Sequence, residues 1–153
     1  VAPERPLGRH ALNLMQVADG PVAPSDFAAA LAAATDARTV DSLLVRQADA
    51  MAGSGECSGA VPLYQSALRR SGRSGSPSAE TGLVNCFFRL GSAQLTSAPD
   101  SAEAWFRSAT GVDSTTPIGR SAMLGLGDAR MRQGDAVIES RAAGFFAFAE
   151  SAE

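Results

Sequence analysis

Lysine is missing from this chain: all thirteen of its basic residues are arginine. That absence removes the Walker-type phosphate loop, the Schiff base and Lys-dependent acyl transfer together, since each needs a primary amine at a set place. Histidine is almost as scarce. His10, the one copy, excludes a multi-histidine metal site and leaves any imidazole chemistry to a proline-containing N-terminal stretch, where a plain surface position is the expectation. The two cysteines, Cys57 and Cys86, lie 29 positions apart and form neither a CxxC redox motif nor a zinc-ligand pair. Two small apolar residues is the first reading of them, and a single disulfide in an oxidising compartment the second.

Positive charge is short as well. A formal net charge of -3 and a pI near 5.1 argue against nucleic acid or an anionic membrane surface as a general partner. No apolar run approaches the ~20 residues needed to span a bilayer, so membrane association is expected only peripherally, through partners. No basic segment followed by an apolar core opens the chain. It begins Val1-Ala2-Pro3 without an initiator Met, which raises the expectation of an upstream segment such as a removed export signal or lipoprotein anchor. A periplasmic or extracytoplasmic location is the matching expectation, with the cytoplasm as the alternative.

Nucleophile motifs are absent too. No G-x-S-x-G elbow occurs; Gly72-Arg73-Ser74-Gly75 lacks the closing glycine and the strand-to-helix setting that makes such a serine reactive. Asp128 and Asp135 are seven apart, but nothing around them supplies the polar cleft that paired-carboxylate catalysis needs. No catalytic, cofactor-binding or metal-binding residue is therefore assigned, and the chain is not expected to be an enzyme.

What the sequence does hold is alanine, about a fifth of the residues, with few β-formers; by intrinsic propensity this predicts an all-α fold. Residues 1–40 read as an arm carrying Leu12, Leu14, Met15 and Val17, followed by a helix from Phe27 to about Thr35 capped by Ser25 or Asp26. From Asp41 the pattern regularises. Leu43, Leu44, Gln47, Ala48 and Met51 recur at helical spacing, Gly53-Ser54-Gly55 breaks the helix, and Ala60, Leu63, Tyr64, Ala67 and Leu68 form a second stripe. The connector SGRSGSPS (71–78) ends on Ser76-Pro77, a good helix start. A third helix is predicted to about Thr96. Asp100 and Glu103 give a capping-box-like start to a fourth with Ala102, Trp105, Phe106 and Ala109. Thr116-Pro117 opens a fifth, and Gly134-Asp135 is expected to turn into a last helix ending in Phe145, Phe146 and Phe148.

Helical hairpins of similar length joined head to tail are the pattern of a repeat array. The segment 41–70 resembles a tetratricopeptide repeat (TPR): Leu44, Ala48, Met51, Gly55, Ala60, Tyr64 and Ala67 stand at that family's matched positions. A second unit (77–110) is similar through Phe87, Leu90, Gly91, Ala102, Phe106 and Ala109. A third (117–152) follows through Met123, Leu126, Gly127 and the Gln133-Gly134-Asp135 turn, with Ala142, Phe146 and Ala149 after a longer turn. The resemblance implies a short right-handed α-solenoid of about three hairpins over 41–153. It also implies core roles for Tyr64, Phe87, Trp105 and Phe106, and a partner-binding groove on the first helix of each repeat.

The groove residues so implied are Val45, Asp49 and Ala52; Asn85, Phe88, Ser92 and Leu95; and Leu124, Asp128, Met131 and Arg132. The family's Lys/Asn/Arg carboxylate clamp is not reproduced, because the chain has no Lys. Phe88, Leu95, Leu124 and Met131 suit an apolar helix or extended segment instead, unless the N-terminal arm covers them. Arg69, Arg70 and Arg73 cluster at a helix C-terminus, where they complement the dipole or dock an acidic partner. Arg130 and Arg132 flank Met131, and arginine is enriched at interface hot spots. The three phenylalanines near the C-terminus are a candidate exposed contact. The expected function is a non-catalytic protein–protein interaction scaffold: an accessory subunit of a larger complex, membrane-associated, photosynthetic or respiratory. A periplasmic chaperone or assembly factor is the alternative, and a regulatory domain of an enzyme the minor one.

Overall fold

The computed structural model describes residues 24–71 and 76–150, with side chains over 26–71 and 76–141. Six helices and no strand occur among these residues: α1 (Pro24–Ala33), α2 (Ala37–Gly53), α3 (Cys57–Ser71), α4 (Pro77–Gln94), α5 (Pro99–Val112) and α6 (Pro117–Glu150). Prolines open four of the six, at a position whose missing N–H has no intrahelical partner to lose. For α1 this moves the start to Pro24, ahead of the expected Ser25 or Asp26 cap.

The stop between α2 and α3 is chemical. Asp36 caps α2, its carboxylate accepting from the Thr39 amide at 2.9 Å and the Thr39 hydroxyl at 2.6 Å. At the other end the amides of Ser54, Gly55 and Glu56 return to Ala50, Ala52 and Met51 carbonyls. Gly55 takes φ +96°, a conformation that a side chain opposes, and so ends the helix.

Pairings between α2 and α3 join residues whose numbers sum to nearly one value: Asp41 with Arg70, Asp49 with Tyr64, Met51 with Gly59. A constant sum means antiparallel helices. The same holds for α5 and α6, through Glu103 with Arg130, Phe106 with Gly125 and Pro99 with Gln133.

The chain divides between Cys86 and Phe87, inside α4. In the first unit α1 packs on α2 through Phe27, Ala30 and Leu43, and the α2–α3 core continues through Ala48, Ala60, Tyr64 and Ala67 to Leu83 and Val84 of α4. Cys57 and Cys86 are both buried in this core and are not joined in a disulfide. In the second unit Phe87, Ala102, Phe106, Ala109, Ala122 and Ala129 are buried. Alanines bring the helix backbones close, and single aromatic rings fill the space between them.

Each unit has one aromatic ring seated against glycine. Tyr64 of α3 lies where a Cβ on Gly82 of α4 would stand. Phe106 of α5 lies where Cβ atoms on Gly91 of α4 and Gly125 of α6 would stand, 2.8 and 2.6 Å from its ring. Trp105, expected in the core, is half-buried and stacks on Phe87 with ring centroids 5.7 Å apart.

Two expectations are corrected. Glu103 does not close a capping box: α5 starts from Ala98, which makes no side-chain cap bond, and Glu103 is held by partners on two helices. The turn expected at Gln133-Gly134-Asp135 is not formed, and α6 runs unbroken for 34 residues. Gly134 keeps a negative φ, and a lone glycine costs a helix only ~1 kcal/mol relative to alanine. A turn there would need a second helix to pack back onto the first, yet residues 134–141 are all exposed.

Candidate functional site

An open groove of about 860 Å³ runs along α2, walled by Arg38, Ser42, Val45 and Asp49 on one side and by Ser76 and Ser78 at the start of α4 on the other. Of the groove-facing residues expected on the first helix, Val45 and Asp49 line it and Ala52 does not. Val45 contributes a floor, being 9% exposed, while Asp49 stands at the rim. Arg70, at the end of α3, closes one side with its Nε 2.7 Å from Asp41, also part of the lining.

The charges are partly spent on the fold. Asp49 accepts a 2.6 Å hydrogen bond from the Tyr64 hydroxyl, so one carboxylate joins groove and core. Burial, reinforced by that carboxylate, pushes the Tyr64 phenol far above its ordinary range, and the ring is a fixed neutral donor at any physiological pH. Arg69 donates to the Ser66 hydroxyl of its own helix at 3.0 Å and Arg70 to Asp41 of α2, which divides the expected arginine cluster; Arg73 lies outside the described residues.

The expected residues of α4 differ among themselves. Asn85 is half-buried and returns its amide to the Thr81 carbonyl of its own helix. Phe88 is half-buried and tilted on Phe106, centroids 5.9 Å apart, so it belongs to packing as much as to any groove. Leu95 is half-buried and Ser92 exposed.

On α6 the outcome is sharper. Leu124 and Met131 are 75% and 63% exposed, with Asp128 and Arg132 exposed beside them. Arg130 turns to the other flank of the helix, where its Nε meets Glu103 at 3.1 Å; Arg107 and Gln133 reach the same carboxylate at 2.5 and 2.8 Å. Bonds from Gln133 and Arg130 hold the Glu103 carboxyl below its usual range. His10 lies outside the described residues, as do the side chains of Phe145, Phe146 and Phe148.

Sequence reasoning missed Arg38, Ser42, Ser76 and Ser78 as groove residues, and missed the Asp49–Tyr64 bond. The hairpin register contains the second, since both residues lie a similar distance from the Gly55 turn; nothing in the sequence marks the serines. Among the described residues no group of three His, Cys, Asp or Glu side chains stands close enough to hold a metal ion. None of the described helices is long and apolar enough to cross a membrane. The groove offers hydroxyls, guanidinium groups and apolar surface for contact. No protein-family model, curated protein or solved structure matches the chain.

Proposed function

We propose that the chain is a non-catalytic protein–protein interaction scaffold of TPR-like helical hairpins, acting as an accessory subunit of a larger assembly. The observation that carries this reading is the groove along α2, where Val45 and Asp49, the positions the repeat resemblance assigns to partner contact, line one continuous concavity. The repeated seating of an aromatic ring against a glycine of the next helix supports the hairpin-array reading, because it is one packing device used twice. The groove is open and mixed in character, with a Val floor and Arg and Ser walls. That suits an extended or helical peptide segment presenting an apolar side chain flanked by acceptors.

A photo-crosslinking side chain at Ser42, in the groove, tests this against the same group at Ser58, an exposed residue of α3 outside it. In the native cells the expected result is one dominant protein adduct from position 42 and none from position 58. Equal labelling from both positions, or no adduct from either, overturns the reading. A single adduct at fixed stoichiometry marks an accessory subunit, whereas a smear of many clients marks a chaperone.

A further inference from the structure

Residues 134–141 of α6 are all exposed, and an isolated helix with apolar residues open to water is marginal. Its packed face holds Ala122, Gly125 and Ala129, which turn toward α5. Diametrically opposite, at intervals of seven, stand Leu124, Met131 and Ile138, 75%, 63% and 67% exposed. Gly127 and Gly134 fall between them, three residues after each of the first two, with nothing near enough to meet an added Cβ. In heptad terms the large apolar residues occupy a and the glycines d. The seam spans about 21 Å of helix from residue 124 to 138.

We infer that this stripe is a self-association seam, pairing α6 in parallel with α6 of a second copy of the chain. Flanking charge selects both the partner and the direction. Asp128 and Asp135 occupy e, and Arg130 occupies g. In a parallel, in-register pair g faces the e position of the next heptad across the seam, so Arg130 of each copy meets Asp135 of the other, twice by symmetry. Arg130 gives its Nε to Glu103, yet its side chain stays 59% exposed. An antiparallel pair faces e against e and g against g, which sets aspartate against aspartate and is excluded by like charge. The glycines at d let the two backbones approach while Leu124, Met131 and Ile138 fill alternate layers. This inference stands apart from the α2 groove, since it uses other residues in the other unit.

Analytical ultracentrifugation of the full chain across micromolar concentrations is the test. The expected result is a monomer–dimer equilibrium that Met131→Glu weakens by about a hundredfold or more, because the charge is buried without a partner. Circular dichroism confirms that the variant stays helical, as its side chain is exposed in the monomer. Arg130→Asp and Asp135→Arg each weaken the dimer, and the double exchange restores it. Gly134→Cys cross-links to itself under oxidation in a parallel pair. A chain that stays monomeric, a dimer indifferent to Met131→Glu, or a dimer in which Gly134→Cys fails to cross-link overturns the inference. A monomer that still gives the Ser42 adduct overturns self-association alone and leaves the scaffold reading standing.

Discussion

Tyr64 donates a 2.6 Å hydrogen bond to Asp49, joining the most buried large side chain of the first unit to the rim of the groove. Its ring also occupies the place that a Cβ on Gly82 would take, so one residue ties α2, α3 and α4 together.

Tyr64 is the sole tyrosine, so tyrosinate absorbance near the ultraviolet edge reports this group alone. Its folded pKa is raised, first by burial and then by the Asp49 carboxylate. The unfolded chain releases the phenolic proton near the ordinary value of about 10, while the folded chain keeps it. Stability is therefore fully present below that pH and lost as pH rises above it. Little tyrosinate is expected before the alkaline unfolding transition, and the two should coincide. Tyr64→Phe should remove the coupling and cost about 1.5 kcal/mol, the low end for a bond to a charged group, because Asp49 is exposed and water replaces the phenol.

Gly82→Ala and Gly134→Ala make a pair with opposite signs. At Gly82 the new methyl collides with a ring that is buried and tethered through its hydroxyl, so about 1–3 kcal/mol of destabilisation is expected from overpacking. At Gly134 nothing lies nearby, and the substitution should stabilise α6 by ~1 kcal/mol. Urea denaturation checks both. A turn at Gly134 instead of a continuous helix would give no gain.

Much of the hairpin plan was legible in the spacing. Tyr64, Phe87 and Phe106 are buried where periodicity places them, and the Gly55 turn and the Pro77 and Pro117 starts lie where local chemistry puts them. What escaped was decided by distant partners. Gly134 reads as a turn or as a tolerated helix residue depending on whether a second helix packs back, which no local pattern reports. Glu103 sits at a capping-box spacing from Asp100, yet Arg130 and Gln133, 27 and 30 residues away, claim it. In the groove, Val45 and Asp49 were pointed to by the resemblance to a repeat, whereas Ser76 and Ser78 are brought there by the path of the chain into α4.

Phe106→Ala should be the most damaging change in the second unit. The ring fills the space left by two glycines, and neither can move in to replace it, so about 3–5 kcal/mol is expected. Thermal unfolding measures the loss, and a cost below that of an ordinary methyl deletion would contradict the packing described.

Glu103 links α5 to α6 through Gln133 and Arg130, while Arg107 of its own helix shares the same carboxylate. Its folded pKa is lowered from 4.5, so its contribution is present above that value and lost as pH falls through the folded pKa. Glu103→Ala should lower the melting temperature at neutral pH and flatten the acid side of the stability profile. An unchanged acid limb in melts taken from neutral pH to strongly acid pH would show that the carboxylate bridges nothing.

The central claim, that the chain works by holding other proteins, is tested most directly by isolating the tagged chain from its native cells at high salt and quantifying what accompanies it. The account predicts a small, constant set of proteins at fixed ratio to the chain, depleted when Ser42 is replaced by a bulky arginine. Recovery of the chain with no other protein, or the same set retained by that variant, would contradict it.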